Sequence, residues 1–335
     1  MVRICQIRQL GAAHTKYPQK TATMIPTDRL ELGKSKALLK KKLLKLMPEQ
    51  GDYQAPFGMV GLHRWHVPTK PSPIVYKPVV IVLAQGRKSV RFDGEDHIIQ
   101  EGSYFIGGVE IPTICAMLET TPETPYLSMT IDIDCSLITQ LAAEVSAPDP
   151  YDGYIRGAML AEMDSDLMDT LLRVLELIER PEQATVLAPL VIKEIHYRLL
   201  IGPAGNHLRA INTYGTPCSM IAKATEWLKK NYNRALVVDE LAKEMAMAPS
   251  TFHKHFKEIT SFSPLQYQKR LRLAEAQRLM LALNYDAARA CAAVGYESLP
   301  QFNREYKRLY GDPPRRDIAK IRQSMAATQL PRAIT

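Results

Sequence analysis

Residues 236–322 carry one pattern twice, about fifty residues apart, and few folds accept it. Each copy reads as a short helix, a sharp turn and a second, amphipathic helix. In the first, Leu241, Ala242 and Met245 fall at i, i+1 and i+4, which is one apolar helical face. Met247-Ala248-Pro249 then breaks the period, and Pro249 suits the first turn of a new helix, where its missing amide donor costs nothing. Phe252, Phe256 and Ile259 continue at i, i+4 and i+7, so this helix buries one stripe. The second copy, Asp286 to Asp317, repeats the plan. Ala288, Cys291, Ala292 and Val294 are expected to face inward, with Gly295 supplying the turn. Ser298 with Gln301 reads as a capping box. Phe302, Tyr306 and Leu309 form the last buried stripe.

What these stripes leave outward is basic and amide-rich. His253, Lys254, His255 and Lys257 lie on or near the free face of the first amphipathic helix, and Gln301, Asn303, Arg304, Lys307 and Arg308 on that of the second. Arg and Lys pair with guanine edges or phosphates, and Asn and Gln with adenine, so such a face beyond a bracing helix suits a DNA major groove. A helical bundle with solvated basic faces explains one such unit equally well. It does not explain two in tandem, joined by a helix rich in Arg and Leu.

The pieces LAKEMAMAPSTFHKHFK, SPLQYQKRLRLAEAQRLM and AVGYESLPQFNREYKRLYGDPPRR resemble the DNA-binding domain of the AraC/XylS family of bacterial transcription regulators. The resemblance implies seven helices, with two recognition helices set into successive major grooves by the helix around Leu265 to Leu283. It implies base reading by Ser250, His253 and Lys254 in the first unit and by Gln301, Asn303 and Arg304 in the second. Two positions depart from the family pattern. Ala248 stands where a Ser cap is usual, a loss of about 1 kcal/mol, and Ser261 stands where Gly usually ends the first recognition helix, a somewhat smaller cost.

Charge follows the same division. The segment from Cys218 to Arg322 holds 19 Lys and Arg against 11 Asp and Glu, an excess equal to the whole chain's +8, and the remainder balances at 24 against 24. The basic excess therefore sits where phosphate neutralisation is needed. At 335 residues two domains are expected. Five widely spaced cysteines without a CxxC pair argue against both a disulfide framework and a zinc finger. The apolar runs, such as Val79 to Ala84, are far short of the roughly 20 residues of a membrane span. With no convincing signal peptide either, the expected setting is cytoplasmic and nucleoid-associated, without a membrane partner.

Residues 1–37 form an N-terminal extension, either a flexible arm or residues upstream of a true start at Met24. Within it and beyond, KSKALLKKKLLKLM (Lys34 to Met47) is amphipathic, and a helix docked on the next domain with a solvated lysine face is favoured over a membrane or nucleic-acid segment. The expected fold class is α+β in two domains. Residues 38–212 make a sensor and dimerisation domain, a β-barrel or jelly roll over about 56–134 with helices over about 136–202. Residues 213–325 make an all-α domain with the two helix-turn-helix units, and 326–335 a tail. Short apolar runs with turns between them, including an Asp93-Gly94 hairpin, carry the strand reading. Ser136 to Val145, Asp164 to Glu179 and Thr185 to Leu200 are helical by period, Gly202 to Pro217 reads as a linker, and Met220 to Tyr232 as a helix anchored by Trp227. YKPVVIVLAQGRKSVRFDG, GSYFIG and TPYLSMTIDID also resemble the cupin-like sensor of one AraC subgroup. That resemblance implies an effector of unknown identity, a homodimer, and promoter DNA and RNA polymerase as partners.

His63, His66 and His97 lack the His-x-His and Glu spacing of a cupin metal site, and strand alternation sends His63 and His66 to opposite faces, so no metal and no cofactor are expected. Cys115 and Cys135 are candidate thiol sensors, although no basic neighbour in sequence lowers their pKa, and an inert half-buried thiol is favoured. No phosphate loop, GxSxG, HExxH or paired-carboxylate signature appears, so the chain is not expected to be an enzyme. The reading is a DNA-binding regulator controlled by a small molecule. A ligand-independent or thiol-responsive regulator is the alternative.

Overall fold

The computed structural model describes residues 26–92, 95–145, 157–326 and 332–333. Residues 1–25 and the Asp93-Gly94 turn lie outside them. The first described element is α1 (Pro26–Leu46). Its leucines at i and i+4 turn inward, so that Leu39, Leu43 and Met47 are buried, whereas Leu38 is exposed. Lys42 and Lys45 reach Glu179 at 3.2 and 2.5 Å. The helix is thus docked on its neighbour, and part of its lysine face is ion-paired rather than wholly solvated.

Nine strands follow: β1 (Gly51–Gln54), β2 (Val60–Trp65), β3 (Ser72–Tyr76), β4 (Val79–Gln85), β5 (Arg87–Phe92), β6 (Glu95–Gln100), β7 (Ser103–Gly107), β8 (Ile111–Glu119) and β9 (Tyr126–Asp132). Then come α2 (Cys135–Glu144), β10 (Ala158–Glu162), α3 (Ser165–Ile178), α4 (Pro181–Ile201) and α5 (Gly205–Asn212). The strands do not close into a barrel. They form two antiparallel sheets, one in the order β10-β7-β4-β9-β2-β1 and one in the order β3-β8-β5-β6. A two-residue strand, β11 (Arg332–Ala333), adds to β1 in parallel.

The first sheet is covered on both faces, which is why β4 reads as a continuous apolar run. Its Val80, Val82 and Ala84 join Leu127, Met129 and Ile131 of β9 in a core shared with α1 and α3 to α5. The alternate residues Val79, Ile81 and Leu83 face the second sheet with Tyr126 and Phe105. The Gly202 to Pro217 stretch is not a plain linker, since α5 occupies its middle. Gly and Asn hide that helix in the sequence, but Leu208 and Ile211, one turn apart, are buried and hold it.

The C-terminal domain consists of α6 (Pro217–Lys230), α7 (Val238–Glu244), α8 (Pro249–Thr260), α9 (Pro264–Ala282), α10 (Ala287–Ala293), α11 (Leu299–Tyr310) and α12 (Pro314–Ala326). In α6 the core positions are Ile221, Ala224 and Leu228, and Trp227 is only half-buried at their edge. In α10 the inward stripe is Ala290, Cys291 and Val294, with Ala288 and Ala292 exposed. A run of alanines offers no polar contrast to set the phase of a helix, which explains that error. The capping box falls at Ser263 and Gln266, at the start of α9. At α11 Ser298 does accept from the Gln301 amide, but the Gln301 side chain turns to Glu305 instead.

The domains are packed together. Tyr267 in α9 donates to the Glu110 carbonyl at 2.8 Å, and the Gly157 amide donates to the Ile259 carbonyl at 3.0 Å. A Cβ at Gly157 would come within 2.6 Å of that carbonyl oxygen, so only glycine permits the approach. The buried residues between the sheets are continuous with Ile221, Phe252, Phe256 and Tyr267 of the first helix-turn-helix unit. The second unit keeps a separate core around Ala276, Cys291, Phe302 and Tyr306.

Candidate nucleic-acid interface

In the first unit Leu241, Ala242 and Met245 of the bracing helix pack behind Phe252, Phe256 and Ile259 of α8, all buried. That fixes the rotation of α8 and leaves Ser250, His253, Lys254 and Lys257 exposed. Lys254 is 4.0 Å from Glu258, one turn on, a distance that leaves its ammonium free to move. Ala248 caps α8 with extended backbone and no side-chain hydrogen bond, and Ser261 ends it at a φ of 67°, the left-handed turn expected there.

In the second unit Phe302 and Tyr306 are buried and Gln301, Arg304, Lys307 and Arg308 are exposed. Asn303 stands apart from this set. It is half-buried, and its amide oxygen is sealed from solvent with no hydrogen-bond partner among the described residues. Gln301 donates to Glu305 at 3.2 Å. Glu305 also accepts from Lys269 at 2.8 Å and from the Tyr296 hydroxyl at 2.6 Å. Burial works to raise the Glu305 pKa, but the bonds from Lys269, Tyr296 and Gln301 outweigh it and hold the carboxyl below its ordinary value. On the inner side Tyr306 donates to Asp317 of α12 at 2.7 Å. The α11 axis is therefore held by charge-assisted bonds on two sides.

The two units are tied by Arg272 in α9, a residue that the sequence reading did not single out. Its guanidinium donates to the carbonyls of Tyr232 at 2.6 Å, Gly295 at 2.8 Å and Arg234 at 2.8 Å. One fork of donors thereby fixes the loop that leads from α6 into the first unit against the turn of the second. The sequence offers little signal for it, since Lys269, Arg270 and Arg272 follow one another among leucines with nothing to set Arg272 apart. Gly295 itself has a φ of 80°, and a Cβ there would collide with the Asn233 carbonyl.

The space between the sheets is lined by polar as well as apolar groups. Asp52 accepts from His63 Nδ1 at 2.6 Å and from Trp65 Nε1 at 3.2 Å, and His63 Nε2 lies 3.0 Å from the Thr130 hydroxyl. A carboxylate can only accept, so His63 Nδ1 donates to Asp52, while the Thr130 hydroxyl lies between His63 Nε2 and the Gly61 carbonyl, 3.4 Å away. His66 instead accepts from Arg64 at 3.1 Å, and His97 stacks on Phe92 with centroids 3.7 Å apart. Among the described residues no three His, Cys, Asp or Glu side chains converge on a metal-sized site. No described helix is long and apolar enough to cross a membrane.

Cys135 begins α2 and is half-buried. Burial pushes its thiol pKa up, and Asp134 and Glu226 push the same way, so the thiolate is disfavoured. Cys115 has a neighbour invisible in sequence, the Lys88 ammonium on the adjacent strand.

A family model described as AraC-type transcriptional regulator N-terminus matches residues 56–207, and a helix-turn-helix domain model matches residues 241–319. Among curated proteins, the transcriptional activator RhaS of Escherichia fergusonii is 28% identical over 165 residues, 48% of this chain and 56% of that protein. RhaS of Yersinia pestis is 29% identical over 90 residues, 27% of this chain and 33% of that protein. The matches thus span between a third and about half of these relatives' length. Among solved structures, the apo form of a lysine-to-alanine variant of ToxT from Vibrio cholerae superposes with a TM-score of 0.52 at 10% identity, covering 78% of this chain and 97% of that one. The wild-type ToxT with unsaturated fatty acid bound gives 0.51 at 10% identity, covering 77% and 94%. At this identity the likeness is one of fold, two domains joined in the same order. With the two family models matched in tandem over most of the described residues, the chain belongs to the AraC/XylS family of transcription regulators.

Proposed function

We propose that the protein is a sequence-specific, promoter-binding regulator whose N-terminal domain takes a small-molecule effector. The observation that carries this reading is the pair of exposed basic faces, Ser250, His253, Lys254 and Lys257 on α8 and Gln301, Arg304, Lys307 and Arg308 on α11, braced on the single helix α9. Such a pair contacts two successive turns of one major-groove face, with side chains that read bases as well as phosphates. Asn303 reaches a base only if the side chain swings out of its half-buried position. The effector acts by preferring one arrangement of the packed domains, as any ligand must to alter affinity elsewhere. ToxT, with the same domain order, is a protein described with an unsaturated fatty acid bound, which supports an organic effector here.

A second copy of the chain is the proposed partner on the outer face of α4. Val186 and Leu190 are 69% and 60% exposed, one turn apart, and the adjoining groove carries Arg173, Arg180, Glu176 and Glu194. An apolar stripe rimmed by both signs of charge is self-complementary about a twofold axis. Dimerisation places two bipartite readers on paired half-sites and raises affinity through effective concentration. RNA polymerase is the further partner that promoter binding implies.

Selection of bound DNA from a random pool by the full-length protein, at near-physiological salt, tests the reading. Two short boxes about one helical turn apart are expected. A pool that stays unenriched, with and without candidate effectors, would remove sequence-specific reading.

A further inference from the structure

Lys88 is the one described lysine whose ammonium lies between two aromatic rings from different sheets. Its Nζ is 5.4 Å from the centre of the Tyr76 ring, on β3, and 5.9 Å from that of Tyr126, on β9. It therefore points into the space between the sheets and not outward. Among the described residues no carboxylate lies within ion-pair distance of it. Its charge is felt by Asp52, which is already committed to His63 and Trp65.

Two further donors in the same place lack acceptors. The hydroxyl oxygens of Tyr76 and Tyr126 are sealed from solvent and have no hydrogen-bond partner among the described residues. Lys88 and Cys115 act on the ionisation of Tyr76 but complete no hydrogen bond of ordinary geometry with it. Burial opposes the Lys88 charge, and the faces of the Tyr76 and Tyr126 rings offset part of that cost. An ammonium and two phenols thus converge without an acceptor, where ring faces supply only part of what water would. On the side of Tyr76 the walls are apolar, while Asp52 and His63 lie on the other side. Tyr76 and Phe92 both pack on Phe105, with centroids 5.9 and 5.8 Å apart, and Val90 is fully buried beside them.

We propose that this space binds an organic monocarboxylate with an apolar body, its carboxylate taken by Lys88 and by the Tyr76 and Tyr126 hydroxyls. The inference deepens the effector reading above and rests on it for its regulatory meaning. One ammonium and two hydroxyls match a single negative charge with two oxygens. A phosphate would call for a guanidinium or several amide donors, and none is among these groups. A neutral sugar would leave the ammonium unpaired. The site also has a mechanical outlet. Tyr76 is the last residue of β3, and β3 lies alongside α9 and α11 of the DNA-binding domain. An acid that draws Tyr76 toward Lys88 acts on the strand that touches the second recognition helix.

The test uses the full-length protein, with octanoate and phenylacetate as probes, each beside its primary amide, read by calorimetry and by thermal melting. At least one acid is expected to bind and raise the melting temperature, with its amide at least about tenfold weaker. Lys88→Met should lose acid binding by a similar factor. Tyr126→Phe, which keeps the ring and its packing, should weaken the acid several-fold and leave the amide unchanged, so the site stays testable if the lysine variant misfolds. Equal binding of acid and amide, wild-type acid binding by Lys88→Met, or no binding by either acid would each overturn the proposal. Motif selection from DNA without acid binding would end this inference and spare the regulator reading. A Lys88-dependent acid site in a protein that selects no motif would do the reverse.

Discussion

The Tyr267 hydroxyl donates to the Glu110 carbonyl at 2.8 Å, joining the helix between the two helix-turn-helix units to the N-terminal domain. Lys229 meets the same residue through its carboxylate at 2.9 Å, so Glu110 is held at both its backbone and its side chain. Tyr267→Phe removes only the hydroxyl and leaves the Glu110 carbonyl without that partner. The expected loss is about 1 kcal/mol of stability, with faster amide exchange where the domains meet. An unchanged denaturation midpoint and exchange pattern would show that the bond holds nothing together.

Arg304→Ala is expected to cost about 1–3 kcal/mol of DNA affinity and relax preference at one or two base pairs, because its side chain is exposed on the free face of α11. Lys307→Ala should instead weaken all sequences alike and reduce the salt slope by about one. Binding measured on the selected site and on single-base variants separates the two. If Arg304→Ala behaves as Lys307→Ala does, Arg304 holds phosphate.

Ala248→Ser should stabilise the protein by about 0.5–1 kcal/mol. The backbone at Ala248 already has the extended geometry of a capping residue (φ −65°, ψ 143°), and the first amides of α8 have no side-chain acceptor there. Chemical denaturation measures the gain. A variant no more stable than the parent would mean that solvent already satisfies those amides.

His196 sets a pH dependence. Its Nδ1 donates to the Ile192 carbonyl at 2.8 Å and its Nε2 accepts from the Asp134 amide at 2.9 Å, and it is fully buried. Burial lowers its pKa below the ordinary 6.5, with the Ile192 bond and Asp134 opposing. The unfolded chain therefore takes up a proton at a higher pH than the native one. This stabilisation is complete above about pH 6.5 and declines as pH falls through the lowered native value. Melting temperature should drop from pH 7 to pH 5, and less steeply in His196→Gln. Parallel profiles would assign the pH dependence to other groups.

Leu190→Asp on the exposed face of α4 should leave the fold intact and shift the protein to monomer in sedimentation, with weaker binding to paired half-sites. A dimer that persists unchanged would place the interface elsewhere.

The helix-turn-helix units were legible because aromatic residues at helical spacing, Phe252 and Phe256, Phe302 and Tyr306, stand against a polar background. Where that contrast fails the reading fails too, as in the alanine-rich α10 and in α5. Asn303 was read as outward with Arg304, yet it sits on the shoulder of the Phe302–Tyr306 stripe, one residue or about 100° from each neighbour. The interior of the sensor was beyond sequence reasoning for a different reason. Asp52, His63, Tyr76, Lys88, Cys115 and Tyr126 come from six strands, and only the pairing of those strands brings them together. Two sheets also differ from a barrel only in whether their edges meet, and strand alternation is silent about edges.

The continuity of the sensor's inner core with α6, α8 and α9 assigns the two halves of the DNA reader to different cooperative units. The first half cannot open without disturbing that inner core, whereas the second opens at the cost of its own core, the Arg272 fork and a small contact with β3. Native-state hydrogen exchange should show α8 sharing the sensor's opening energy and α11 a lower one. Release from DNA would then begin at the second box and finish at the first, making residence time at the first box a property of the sensor.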